Sequence, residues 1–267
     1  MSIPSQAMDS AVAAAKDAGR ILLEMQKTIN PREKAPADLV TEADLAAQSR
    51  IKARLLGEFP DFGFIGEEDT ETDRAAAAAR NSEAPCWVVD PLDGTANYVH
   101  GLDNYAVSIA LRSDNQIELG VVFDPVREQL FWARRGQGAW LNEQRLQTSS
   151  IQRMDGALIA ASFAARVPPN SPEVTRFVQV LHTCQAIRRL VSAALNLCYV
   201  AAGKLDAYWA SSVKTWDVAA GLLLVEEAGG RVTDLAGHPV SLDHPILAAA
   251  STAELHREFL ATLAIEN

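Results

Sequence analysis

Acidic residues in this sequence recur at the ends of apolar runs, where a fold turns charge inward. Cys86-Trp87-Val88-Val89 leads into Asp90-Pro91-Leu92-Asp93-Gly94-Thr95, which sets two aspartates three apart around a proline, just before a Gly-Thr pair. Phe62–Ile65 leads into Gly66-Glu67-Glu68-Asp69, Trp216-Asp217 opens an apolar helical stretch, and a fourth acidic segment runs from Asp38 through Thr41 and Glu42 to Asp44. Burying several carboxylates without cations costs several kcal/mol each. Carboxylates combined with a main-chain carbonyl are the oxygen set that Mg²⁺ accepts. Gly94-Thr95 then opens a segment whose amides can hold phosphate oxygens. Cation ligands on one side of a turn and anion donors on the other suit metal-assisted hydrolysis of a phosphate ester.

Each stretch also has a simpler reading on its own. Thr41-x-x-Asp44 has the form of a capping box. Glu67-Glu68-Asp69 reads as a solvated loop, with Glu68 and Asp69 either supporting the site or facing water. Asp93-Gly94 is a hairpin signal, and Asp217 suits a helix N-terminus through the macrodipole. The simple readings weaken together, because Glu67, Asp90 and Asp217 all sit at the inward end of an apolar run. The five histidines, His100, His182, His238, His244 and His256, lack metal-ligand spacing and read as surface or structural.

The elements that must position these acids follow from periodicity. Asp9 to Ile29 reads as an amphipathic helix ended by Asn30-Pro31. Arg32 to Asp38 reads as a mobile surface loop, and a second helix starts after Thr41 and stops near Gly57. The alanine run Ala75–Ala79 reads as a short exposed helix or loop. Cys86–Asp90, Tyr105–Arg112, Ile117–Phe123, Leu130–Arg134 and Gly138–Leu141 read as an antiparallel meander. Beyond about residue 150 the texture alternates: strand Ala157–Ser162, helices Pro172–Cys184 and Ser192–Ala202, strand Leu205–Trp209, helix Trp216–Ala228 and strand Arg231–Asp234. That pattern implies an α/β half. The expected division is 1–148 as an α+β half and 149–267 as an α/β half, packed as one body with Asp217 carried by the second.

Over 267 residues the chain is 48% hydrophobic with a net charge of −10, so a large core is available and no basic footprint for nucleic acid or anionic membrane exists. A phosphorylated substrate meets a repelling field unless a cation reverses it locally. No apolar stretch approaches a membrane span, no basic-then-apolar signal segment precedes the first helix, and three scattered cysteines fit a reducing compartment. The expected location is the cytoplasm.

The motifs Asp90-Pro91-Leu92-Asp93-Gly94-Thr95-Ala96-Asn97-Tyr98, Gly66-Glu67-Glu68 and Trp216-Asp217-Val218-Ala219-Ala220-Gly221 together resemble the inositol monophosphatase family. The likeness extends to Val40-Thr41…Asp44 and to Val225-Glu226-Glu227-Ala228-Gly229-Gly230. It implies a layered αβαβα sandwich, of the type shared with fructose-1,6-bisphosphatases, and a Mg²⁺-dependent, Li⁺-sensitive phosphatase. By resemblance, Glu67, Asp90 and the Leu92 carbonyl hold one Mg²⁺, and Asp90, Asp93 and Asp217 hold a second. A third ion near Glu67 is allowed, and Mn²⁺ can substitute. Thr95 paired with Asp44 serves the nucleophilic water, with Glu67 the competing base. Asp93, Gly94, Thr95, Ser192, Ala193 and Asp217 line the substrate side, and Lys34 is either a solvated loop lysine or a phosphate contact. A homodimer is implied by the resemblance alone.

The leaving-group side departs from the family pattern. Val191 in Arg188-Arg189-Leu190-Val191-Ser192-Ala193-Ala194 stands where a glycine is usual, and Ala210 falls where a glutamate contacts an inositol hydroxyl. Ser192, Ser211, Ser212 and Lys214 are the replacement polar groups. Asn97-Tyr98-Val99-His100-Gly101 resembles inositol phosphatases more than nucleotide 3′-phosphatases, so inositol 1-phosphate leads as substrate, with histidinol phosphate, a sugar phosphate, a nucleotide 3′-phosphate or fructose 1,6-bisphosphate as alternatives. A regulatory binding protein on the same fold is the competing class.

Overall fold

The computed structural model describes residues 3–28, 32–35, 38–70, 72–73, 84–114 and 116–265. Helices α1 (Gln6–Met25) and α2 (Glu42–Glu58) pack together over one face of a seven-stranded sheet. Its strands, in spatial order, are β3 (Gly63–Gly66), β4 (Cys86–Asp93), β5 (Ala106–Ser113), β6 (Gln116–Asp124), β7 (Gln129–Arg134), β8 (Ala139–Leu141) and β9 (Gln144–Arg145). β3 runs parallel to β4, and the remaining pairs are antiparallel.

Side-chain alternation divides each central strand between two cores. Trp87 and Val89, Val107 and Ile109, and Leu119 and Val121 join Ala11, Ala15, Leu22, Ile51 and Leu55 of α1 and α2. Val88, Ala106, Ala110 and Val122 face the opposite way, onto α5 (Ala193–Ala201) and α6 (Thr215–Glu227). These two helices approach the sheet closely because they present alanines. A Cβ on Gly120 would lie 2.8 Å from the Ala220 carbonyl oxygen, so β6 needs glycine there.

Behind α5 and α6 stands a five-stranded sheet, ordered β11 (Ala186–Arg188), β10 (Leu158–Ser162), β12 (Ala207–Ala210), β14 (Leu247–Ala250) and β13 (Arg231–Thr233). β10 is parallel to both neighbours, while β14 is antiparallel to β12 and to β13. Its outer face, including Ile159, Trp209 and Ala248, is covered by Val180 of α4 (Pro172–Thr183) and by Leu255, Phe259 and Leu263 of α7 (Ala253–Leu263). The layers read α, β, α, β, α, the sandwich expected. Among the described residues no helix is long and apolar enough to cross a membrane.

Several sequence expectations change. Arg32–Asp38 is not a simple loop: β1 (Arg32–Ala35) and β2 (Asp38–Val40) form a two-stranded antiparallel ribbon. Charged residues in a ribbon outside both main sheets give no apolar alternation from which to read it. The first helix starts at Gln6, not Asp9, and gives way at Gln26–Thr28 to a 3₁₀ turn. Strands β3, β9, β11 and β14 and helix α7 carry no expectation above. Strands this short, two to four residues, hold too few positions to show a period. The expectations for Ala75–Ala79 and Asn30-Pro31 lie outside the described residues.

Candidate active site

β4 is buried along its whole length and delivers Asp90 and Asp93 at its far end. Asp90 pairs in register with Ser108 of β5, and the ladder slips between Asp90 and Asp93, where Pro91 has no amide to donate. The Asp90 Oδ1 accepts the Leu92 amide at 2.9 Å, which folds the chain back on itself. Gly94 follows with φ +98°, where a side chain would be strained and its Cβ would lie 3.0 Å from the Asn104 carbonyl oxygen. It caps the short helix α3 (Thr95–Val99), so Asp93-Gly94 is a helix entry and not the hairpin its sequence suggests.

Asp93 is claimed by the second half of the chain. Its carboxylate accepts the Ser192 hydroxyl, the Ala193 amide at 3.1 Å and the Ala194 amide at 2.7 Å. These donors form the first turn of α5, where the dipole favours an anion. Ser192 also caps that helix, its hydroxyl accepting the Leu195 amide at 3.2 Å.

Asp217 arrives from α6. It occupies the third position of the helix and accepts the Lys214 amide through Oδ2 at 2.8 Å. The entry of α6 is tied to the strand beside Asp90, because the buried Ser108 hydroxyl donates to the Trp216 carbonyl at 3.2 Å. Sequence reading missed Ser108, since a serine in an apolar strand gives no sign that it faces a helix end.

Glu67 directly follows β3, its amide bonded to the Val89 carbonyl at 3.1 Å, one position short of Asp90. The turn that carries it is held from beneath. Asp69 Oδ2 accepts the Gly66 amide at 2.8 Å, while Gln48 of α2 accepts the Glu68 amide at 2.9 Å and donates to Asp69 at 3.1 Å. Asp69 is therefore buried and braces the turn, the first of the two readings open to it, while Glu67 and Glu68 are half-buried. A polar side chain on the buried face of α2 was the available signal for Gln48.

The capping box at Thr41 is present, and it coexists with the functional reading of Asp44. Asp44 Oδ2 accepts the Thr41 amide at 2.8 Å and the Thr41 hydroxyl at 2.5 Å, while Oδ1 lies 3.4 Å from the Thr95 hydroxyl. Thr95 also donates to the Leu92 carbonyl at 3.1 Å. The cap fixes Asp44, fully buried, with its second oxygen aimed at Thr95.

Burial raises the pKa of Asp90 well above the ordinary carboxylate range, and Glu67, Asp93 and Asp217 push it further. Asp217 is raised well above that range by burial, then by Asp93. Asp93 is raised by burial to about 6, held down from a higher value by its Ser192, Ala194 and Ala193 donors. The four acids thus lie within one another's field. Among the described residues, however, no three His, Cys, Asp or Glu side chains are gathered closely enough to enclose an ion as placed. In this arrangement Asp90, Asp93 and Asp217 each accept a backbone amide, from Leu92, Ala193 and Lys214 respectively. The groups acting most strongly on Asp90 and Asp217 are other acids and backbone amides. An all-oxygen, strongly anionic donor set fits a hard divalent cation.

On the leaving-group side, Ser192 and Ala193 are brought to Asp93 as expected, while Ala210 is buried at the end of β12. Ser212 and Lys214 are exposed, and Ser211 is buried. Of the histidines, His256 is buried, bonded to Thr233 of β13 and to the Ala248 carbonyl of β14. The side chain of Lys34 lies outside the described ones.

Comparison with known proteins places this architecture. The inositol monophosphatase family matches residues 4–266. The Nus factor SuhB of Pseudomonas aeruginosa is 38% identical over 92% of this chain and 91% of its own length. An inositol-1-monophosphatase of Rhizobium meliloti is 40% identical over 76% of this chain and 75% of its own. The crystal structure of the extragenic suppressor protein suhB from Bartonella henselae superposes with a TM-score of 0.90 at 36% identity, covering 97% of this chain and 98% of that one. The chain therefore belongs to the inositol monophosphatase family and is a phosphoric monoester hydrolase.

Proposed function

We propose that the protein hydrolyses small phosphorylated polyols, inositol 1-phosphate first among them, in a Mg²⁺-dependent reaction. What supports this reading is that Glu67, Asp90, Asp93 and Asp217, from three separate stretches of chain, lie within one another's electrostatic influence, with the Thr95–Asp44 contact following directly after Asp93. Glu67, Asp90, Asp93, Asp217 and the Leu92 carbonyl would hold two Mg²⁺ ions, or three. Bound there, such ions supply Lewis-acid polarisation of water and of phosphate oxygens.

The chain's own residues do the rest. Thr95 has its proton committed to Asp44 or Leu92, so its lone pairs accept from a water and set its line of approach to phosphorus. Asp44, with one oxygen locked by the Thr41 cap, cannot swing away and is placed to draw the proton through Thr95. The amides of Gly94 and Thr95 would donate to the equatorial phosphate oxygens. Ser192 and Ala193, fixed on Asp93, border the space left for the alcohol. Support for inositol phosphate comes from the Rhizobium relative's name and from the Asn97-Tyr98-Val99-His100-Gly101 stretch. Val191 and Ala210 leave histidinol phosphate, sugar phosphates, nucleotide 3′-phosphates and fructose 1,6-bisphosphate as competitors.

Phosphate release from these esters, measured side by side with Mg²⁺ and with EDTA, tests the reading. Fastest Mg²⁺-dependent turnover of inositol 1-phosphate supports it, and preference for another ester reassigns the substrate. Absence of turnover on every ester would transfer the weight to a regulatory role, for which the name Nus factor on the Pseudomonas relative speaks. We also propose a cytoplasmic homodimer, on family resemblance.

A further inference from the structure

Val191 has φ +75°, and among the described residues it is the one β-branched side chain in the left-handed region. A branched Cβ is strained there, and such strain persists only where the surroundings over-determine the backbone. The surroundings here are three donors on a single carbonyl. The Leu190 oxygen accepts the Asn97 side-chain amide at 2.8 Å, the Asn104 side-chain amide at 2.9 Å and the Ser192 backbone amide at 3.1 Å. The last of these closes a three-residue γ-turn centred on Val191, the strained, positive-φ kind. Immediately beyond it, Ser192, Ala193 and Ala194 meet Asp93. Asn97 lies four residues after Asp93 and donates a further bond to the Asn104 carbonyl at 2.7 Å, so the clasp returns to the segment from which Asp93 came. Asn104 is steadied in turn by the Tyr199 hydroxyl of α5 at 3.2 Å.

We infer that Asn97, by holding the Leu190 carbonyl, forces Val191 into its left-handed turn and so presses the Ser192–Ala194 donors onto Asp93; Asn97 is a positioning residue for that acid. Asn97 touches no reacting group. It acts through a turn that would otherwise relax, withdrawing the first turn of α5 from Asp93 and leaving the carboxylate free to rotate. That this placement serves cation binding rests on the phosphatase reading above, whereas the clasp itself does not. A glycine at 191 accepts positive φ without strain, which makes Asn97 dispensable. The dependence of Asn97 on Val191 is therefore the signature.

The experiment is a double-mutant cycle of Asn97→Ala and Val191→Gly in the full chain. Two quantities are read: amide hydrogen exchange of a peptide spanning residues 190–195 in EDTA, and the dissociation constant for Mn²⁺ from its paramagnetic resonance signal. Asn97→Ala should speed exchange at Ala193 and Ala194 about tenfold, the equivalent of one lost hydrogen bond, and weaken Mn²⁺ binding by a similar factor. Val191→Gly alone should keep the protection and raise the melting temperature by about 2–4 °C. The double variant should differ from Val191→Gly by less than about threefold in both readouts. Equal losses in the two backgrounds would show Asn97 to be a plain structural bond and overturn the inference. So would loss of protection in Val191→Gly alone. Should Asn97→Ala not fold, Asn104→Ala removes the second lock and must show the same dependence on residue 191. A wild-type protein that binds no Mn²⁺ contradicts the metal reading, and the exchange data still decide the clasp.

Discussion

Replacing Ser192 by alanine removes one oxygen that serves two partners. The hydroxyl donates to the Asp93 carboxylate and accepts the Leu195 amide as the cap of α5, in a site with no solvent exposure. A hydrogen bond to a charged group contributes roughly 1.5–3 kcal/mol, and a serine cap about 1 kcal/mol. The loss is therefore about 3 kcal/mol when Asp93 is ionised, or a fall of about 6–12 °C in melting temperature for a chain of this size. The loss depends on pH, and its direction follows from the pKa of Asp93, raised from 3.8 to about 6 in the folded protein. A carboxyl with a raised folded pKa contributes stability below its unfolded value and loses it as pH rises through the folded one. Ser192 limits that loss by favouring the ionised form. Its removal pushes the pKa higher, so the gap between wild type and variant should widen from pH 5 to pH 8. At pH 5 Asp93 is protonated, the bond is neutral, and the deficit shrinks to about 2 kcal/mol. Differential scanning calorimetry in EDTA at both pH values measures this directly. A melting difference that is equal at the two pH values, or larger at pH 5, would refute the argument that Ser192 steadies a charge on Asp93.

Further substitutions probe the supports around the acids. Asp90→Asn should lower turnover at least about a thousandfold; in EDTA it should raise the melting temperature, by more at pH 8 than at pH 5. The amide escapes the burial and repulsion that lift the Asp90 pKa, a penalty that grows as pH rises. Gln48→Ala unties the Glu68 amide and Asp69 beneath Glu67, and steady-state kinetics should show about a tenfold fall in kcat/KM with a rise in the Mg²⁺ needed for half-maximal rate. Unchanged Mg²⁺ dependence would remove Gln48 from the support of Glu67. Gly120→Ala drives a methyl to 2.8 Å from the Ala220 carbonyl, and urea titration should show about 1–3 kcal/mol of destabilisation.

How much of this was legible beforehand depended on the kind of signal each residue gave. The meander was readable because its longer strands are largely apolar runs of six to nine residues separated by polar segments in the sequence. Glu67, Asp90 and Asp217 stood out in the sequence because each sits at one end of an apolar run. Their supports were not. Ser108, Gln48 and Asn104 act through hydrogen bonds to residues 108, 20 and 86 positions away, and no local pattern encodes such partners. The double contact of Asp44 was hidden for another reason. The capping box and the Thr95 contact use different oxygens of one carboxylate, so the sequence supported both readings and gave no ground for choosing. The ribbon at Arg32–Val40 failed the periodicity test because its charged residues belong to neither large sheet.

The central claim is that Glu67, Asp90, Asp93 and Asp217 gather divalent cations on which phosphate ester hydrolysis depends. Anomalous diffraction from crystals grown with Mn²⁺ tests it most directly. The account predicts at least two anomalous peaks bounded by those four carboxylates and the Leu92 carbonyl, with Asp90 touching both. Well-ordered density for the four side chains at millimolar Mn²⁺, with no anomalous peak among them, would contradict it.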